Sequence, residues 1–213
     1  MMQYEGVIKF HSTRHSPELP GIDELRDLEH YRNKLFKLGW IGELEGIGYG
    51  NISSRIDSDK FIITCSQSQG LLDLEPQNYC TIIRFNIEKN EVSYDGLNEP
   101  SSEAMTHAAI YQACSEVNAI IHVHNKKIWE SQSKDFAYTP IDAEYGSPAL
   151  AYAIIDLFRH NNFEIKMDYS TEITSKKNRD IKKNIIIMNG HEDGVLAFGR
   201  NLEECFHCLK NSL

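Results

Sequence analysis

Apolar residues recur along this chain at two spacings, and the switch between them predicts its elements. Between Asp23 and Gly39, the positions Leu25, Leu28, Tyr31 or Arg32, Leu35 and Leu38 fall three or four apart, the stripe of a helix resting on a core. Asp23 is placed to cap that helix and Gly39 to end it. Strand-length apolar runs follow at 52–56, 60–64 and 80–86, and Val92–Tyr94 returns on the last of these through a turn at 88–91. Ser101 or Ser102 can cap a helix carried by Ala104, Met105, Ala108, Ala109 and Ile110. That pattern fades near Ser115-Glu116, and 118–124 reads as a strand. Within 125–140 a short helix with Ile128 and Trp129 inward, then a turn, is expected. Ser147-Pro148 is a helix start, and Leu150, Ala153, Ile154, Leu157 and Phe158 share the face behind it. A buried strand at 184–190, a return strand at 194–198 and a last helix from Arg200 or Asn201, with Leu202, Cys205, Phe206 and Leu209 inward, complete the pattern. Four stretches fall outside it: a short extended piece at 6–10, a polar lead at 11–20 holding Pro17 and Pro20, a glycine-rich turn at 47–50, and an exposed loop or hairpin over 166–183.

Composition narrows the class. The expectation is one domain, 1–213, large enough to bury a real core, with 41% hydrophobic and 25% charged residues. A net charge of −9 argues against a nucleic-acid partner, because a phosphate backbone calls for a basic face. No apolar run approaches a membrane span, and Met1 to Glu5 lack the basic and then apolar regions of a signal peptide. Five cysteines at irregular spacing read as reduced thiols, so the expected location is cytoplasmic.

Chemistry concentrates between Pro100 and His124. Side chains alternate along a strand, so Ile121 and Val123 leave on one side and His122 and His124 on the other, roughly 6.6 to 6.8 Å apart. Two imidazoles at that spacing can converge on one metal ion, although an isolated His-x-His is more often a pair of surface or core histidines. His107 lies four residues after Glu103 on the same helix face, and packing against the strand is its expected role. The glycine-rich stretch before Asn51 reads, on its residues alone, as a tight turn. Cys205-Phe-His-Cys208 imitates a metal or redox motif but sits on a helix without a second pair, so core packing is expected. His11, His15 and His160 are expected at the surface.

On Gly50-Asn51-Ile52-Ser53, Ile63-Thr64, Pro100-Ser101-Ser102-Glu103, His122-Val123-His124 and Gly190-His191, in that order, the chain resembles the class II aldolase and adducin head-domain family. The resemblance implies an α/β fold of three layers, α/β/α, around a mixed, largely antiparallel sheet, and a homo-oligomer, with the tetramer common in the family as the expected form. It implies a zinc or other divalent metal held by His122, His124 and His191, with Glu103 moving the proton beside a carbonyl. Asn51, Ser66, Ser101 and Ser102 would hold the phosphate or other anionic end of a small ketose. The implied activity is a lyase working through a metal-stabilised enediolate; a dehydratase or epimerase of the same family, or a silent adducin-like assembly module, is the alternative. The sequence departs from the aldolases in three places. Cys65-Ser66-Gln67 replaces Thr-Pro-(Ser/Thr)-Gly in part, with Gln67 at the glycine. The segment after His124 is shortened, which brings Glu144 near a dehydratase's acid and leaves Tyr145 as a structural tyrosine. Glu192 and Asp193 are inserted after His191, with Glu192 expected to face solvent.

Overall fold

The structure, a computed structural model, describes residues 7–166 and 181–213. In chain order it opens with strand β1 (His11–Ser16) and helix α1 (Ile22–Lys37). A small hairpin of β2 (Gly42–Leu44) and β3 (Ile47–Tyr49) precedes β4 (Asn51–Asp57), β5 (Lys60–Thr64), β6 (Tyr79–Asn86) and β7 (Glu91–Asp95). Helix α2 (Ala104–Ala113) leads into β8 (Ala119–His124), then α3 (Lys126–Trp129), β9 (Ala137–Tyr138) and α4 (Pro148–His160). The remaining elements are β10 (Asn162–Phe163), β11 (Ile181–Lys182), β12 (Ile185–Ile187), β13 (Gly194–Gly199) and α5 (Leu202–Lys210).

Among the described residues, nine strands form one sheet in the order β1-β7-β6-β5-β4-β8-β13-β12-β9. Only the two outermost pairings, β1 with β7 and β9 with β12, are parallel. Because both faces of this sheet are covered, its inner strands are apolar on both sides rather than alternating with polar residues. Phe61, Ile63, Ile120, Leu196 and Phe198 face one core, shared with Met105 and Ala109 of α2 and Leu150, Ile154 and Phe158 of α4. Ile62, Ile121, Val123, Val195 and Ala197 face the other, shared with Leu25, Leu28 and Leu35 of α1 and Leu202, Cys205 and Leu209 of α5. Each fully buried Leu, Ile or Phe side chain contributes about 1.5–3 kcal/mol. The three-layer α/β/α arrangement around a mostly antiparallel sheet follows from this division.

Several local expectations are corrected. The N-terminal strand lies at His11–Ser16, not at 6–10, even though its side chains are polar and mostly exposed. As an edge strand it needs a backbone partner on one side only, which β7 supplies. Helix α1 begins two residues early: Gly21 is its N-cap, and Glu24 reaches back to accept the Gly21 N–H at 2.8 Å. On α2 the N-cap position belongs to Glu103, while Ser101 Oγ accepts the Glu103 N–H at 3.3 Å. Residues 47–49 form β3 rather than a turn; the reversal is at Glu45 and Gly46, both with positive φ. Strand β9 has no counterpart in the apolar pattern, since two residues carry no period. Other expectations hold: Ser147 Oγ accepts from Leu150 N–H at 3.2 Å, and Asn201 caps α5 through Glu204 N–H at 2.8 Å. Cys205 is packed in the core. The loop or hairpin expected over 166–183 lies largely outside the described residues; at its far end β11 pairs in parallel with β10.

Candidate metal centre and its cavity

Strand β8 is paired on both sides, and its registers fix where its histidines stand. His122 lies opposite Asn51 on β4 and Leu196 on β13, and His124 lies opposite Gly194 at the start of β13. His191 comes from the turn joining β12 to β13. That turn is closed by His191 N–H donating to Met188 O at 3.0 Å and Gly194 N–H donating to His191 O at 3.0 Å. Asp193 takes a positive φ of 61°, and Glu192 is exposed. A side chain at Gly194 would place its Cβ 2.3 Å from His191 Cδ2, so the imidazole can occupy its position only because residue 194 has none.

The three imidazoles converge. One ring nitrogen from each of His122, His124 and His191 lies within 4.8 Å of the others, and His124 Nε2 stands 3.0 Å from His191 Nε2. Nitrogens bound at about 2.0–2.1 Å to a tetrahedral ion are roughly 3.3 Å apart, so the cluster matches what a metal needs. His122 Nδ1 donates to Val195 O at 3.3 Å, which fixes the tautomer and leaves the Nε2 lone pair available as a ligand. His122 and His191 are buried and His124 is half-buried. The donor set therefore fits a divalent transition metal.

Beside the cluster is a cavity of about 190 Å³. Its wall brings together Asn51, Ser66, Ser101, Ser102, Glu103 and His122, all of them candidates on sequence grounds. Gly48, Gln67, Gln69 and Tyr145 join them there without having been candidate ligand contacts. The wall is assembled from six separate stretches of the chain, two of them stapled together by backbone bonds. Ser101 N–H donates to Thr64 O at 3.1 Å and Ser66 N–H to Glu99 O at 2.9 Å, tying the loop after β5 to the start of α2. Glu103 is buried at that helix N-terminus, where the exposed ends of the peptide dipoles favour negative charge. Backbone N–H groups at a helix start and hydroxyls from Ser66, Ser101 and Ser102 are the chemistry that accepts a phosphate. Gln67 takes a φ of +60°, the left-handed region that favours glycine.

Two supporting features lie outside the sequence motifs. Arg32, on the core stripe of α1, is buried and donates from Nη1 to Leu72 O at 2.5 Å and from Nη2 to Gln69 O at 2.9 Å and Ser68 O at 3.4 Å. It thus clamps the loop that carries Ser66, Gln67 and Gln69; its place on the stripe is the signal that points to it. Behind the cavity, His107 Nδ1 lies 2.7 Å from Ser53 Oγ, which lies 2.8 Å from Tyr111 Oη. Burial pushes the His107 pKa down to about 3, so the ring is neutral. Tyr145 is buried, with its ring 5.1 Å from that of His191. Glu144 stays outside: it is exposed and paired with Lys9 at 3.2 Å. His11, His15 and His160 are exposed. Among the described residues, no helix is long and apolar enough to cross a membrane.

Comparison with known proteins agrees with this architecture. The profile of the Class II Aldolase and Adducin N-terminal domain matches residues 27–211. Mouse alpha-adducin is 25% identical over 167 residues, covering 76% of this chain and 21% of adducin. A 3-oxo-tetronate 4-phosphate decarboxylase from Haemophilus influenzae is 33% identical over 79 residues, 37% of this chain and 34% of the decarboxylase. The chain thus spans about a fifth of its adducin relative and aligns with about a third of the decarboxylase. An L-fuculose 1-phosphate aldolase structure superposes with a TM-score of 0.60 at 20% identity, covering 90% of this chain and 82% of that one.

Proposed function

The chain belongs to the class II aldolase and adducin N-terminal domain family, and from that premise we propose that it is a zinc-dependent lyase acting on a small ketose or ketose phosphate. Enzymes of this family typically use a divalent metal and act on small sugar-phosphate-like substrates. The observation that carries the reading is the juxtaposition of three converging histidines with a cavity walled by Glu103 and four hydrogen-bonding residues. His122, His124 and His191 would hold the ion, which when bound supplies a Lewis acid for a substrate carbonyl oxygen. Asn51, Ser66, Ser101 and Ser102 orient the substrate by its anionic end. Glu103 takes the proton from the carbon beside the carbonyl, a role typically worth about 10²–10⁴ in rate. The wall excludes bulk water around that carboxylate. In this reading the protein is a cytoplasmic homotetramer with no nucleic-acid or membrane partner.

The presence of the three histidines and Glu103 favours an enzyme over a catalytically silent module. The partial match to a decarboxylase of a four-carbon sugar-acid phosphate supports a second reaction class, one in which carbon dioxide leaves instead of an aldehyde. The experiment is solvent exchange. Zinc-loaded protein incubated with dihydroxyacetone phosphate in deuterium oxide should lose the substrate's α-proton signal in the proton NMR spectrum, and Glu103→Gln should abolish that loss while retaining zinc. Exchange that survives in Glu103→Gln would remove Glu103 from the proposed role. A protein that carries no metal and exchanges nothing would support the silent module.

A further inference from the structure

The segment ahead of α1 precedes the family match, which begins at residue 27, yet it reaches the cavity. Ile8 and Phe10 pack into the core beneath α2 and α4. Val7 and Lys9 face the other way, as successive side chains of an extended chain do, and Val7 is part of the cavity wall. The backbone is pinned at this point: Asn90 Nδ2 donates to the Lys9 carbonyl at 2.7 Å, and His11 N–H donates to Asn90 O at 2.8 Å. Lys9 Nζ stands 4.0 Å from the centroid of the Tyr145 ring, itself a wall residue. The turn beneath is tight, since a Cβ on Gly146 would lie 3.0 Å from Ser102 O and 4.0 Å from Lys9 Cδ.

Charge decides what this lysine can do. Among the described residues, the cavity wall carries the carboxylate of Glu103 and no lysine or arginine, within a chain of net charge −9. Apart from the ion that the three histidines would hold, which takes the carbonyl end of the substrate, only neutral donors line the wall to receive an anionic group. The ammonium beside the wall is engaged by Glu144, with side-chain exposures of 28% and 58%, and surface ion pairs of this kind contribute little. A lysine's flexible four-carbon stem lets its charge move between partners. We propose that Lys9 is a substrate-binding residue: it exchanges Glu144 for an anionic group of the substrate, a phosphate or a carboxylate, and so selects charged ligands, with Glu144 as the competing counter-ion. This rests on reading the cavity as a sugar-phosphate site.

The test uses isothermal titration calorimetry on the zinc-loaded full chain with three probes of one carbon skeleton: erythritol 4-phosphate, 4-phosphoerythronate and erythronate. Lys9→Met should weaken binding about tenfold or more, the loss expected for a charge-assisted hydrogen bond. Glu144→Gln should tighten it. A strap that merely ties the N-terminal segment down would make both variants move affinity in the same direction, because each breaks the same ion pair. Equal weakening of both phosphorylated probes in Lys9→Met identifies the phosphate as the recognised group; weakening of 4-phosphoerythronate and erythronate alone identifies the carboxylate. Unchanged affinities in Lys9→Met, or weaker binding in Glu144→Gln, overturn the proposal. Failure of the unmodified protein to bind any of the three overturns the sugar-phosphate reading, and the inference with it.

Discussion

His107, on α2, is fully enclosed against β4, with Nδ1 against Ser53 Oγ and, among the described residues, no hydrogen-bond partner for the buried Nε2, and that enclosure predicts a loss of stability in acid. Burial lowers its pKa from 6.5 to about 3 in the folded protein. The unfolded chain therefore takes up the proton first, so the stability tied to this ring is intact above about pH 6.5 and is lost as pH falls toward 3. One proton of difference corresponds to about 1.4 kcal/mol per pH unit, which gives a loss of about 2 kcal/mol between pH 8 and pH 5. His107→Gln removes the titration while keeping an amide able to bond Ser53. Urea unfolding of both proteins, followed by tryptophan fluorescence in the presence of a chelator, isolates the contribution, because metal binding is itself pH-dependent. The unmodified protein should lose about 2 kcal/mol more than His107→Gln over that interval. If the two losses agree within about 0.5 kcal/mol, the ring is not held neutral and the reasoning fails.

Two further substitutions probe how the site is held. Gly194→Ala forces the His191 ring aside by placing a methyl where only 2.3 Å is available, and zinc affinity measured by competition with a chromogenic chelator should fall about 10–100-fold with the circular dichroism unchanged; full affinity would mean that His191 is not a ligand. Arg32→Met removes the donor from three loop carbonyls and should cost about 3 kcal/mol in urea unfolding, at about 1 kcal/mol each; a loss below about 1 kcal/mol would show that water replaces the guanidinium there.

What can be read from the sequence is whatever repeats within one element. The apolar runs of β4, β5, β6, β8 and β13, the stripe of α1 and the Ser147 cap all register there, because backbone geometry fixes side-chain direction every two residues in a strand and every three or four in a helix. The same alternation is enough to put His122 and His124 on one face of their strand. The stripe also places residue 31 or 32 in the core, yet nothing in it says that Arg32 is the one buried, still less that its partners are the carbonyls of residues 68, 69 and 72. By residue type, Gln67 is an obstruction in the loop after β5; the backbone shows it in the left-handed region that favours glycine.

The remainder is decided by pairing between distant strands. His124 and His191 are 67 residues apart, and no local spacing brings them to 3.0 Å. Their meeting depends on Gly194 lying opposite His124 in the β8–β13 ladder, which carries the preceding turn and its imidazole over the end of β8. Likewise the polar strand β1, the two-residue β9 and the reach of Lys9 to Tyr145 are set by neighbours that complete a sheet edge or enclose a cavity. The sequence by itself determined most of the residues that are buried and the way they face, because those follow from local geometry. Which of them touch was settled by the tertiary structure, because register is chosen by the packing of the two cores as a whole and not by any one segment.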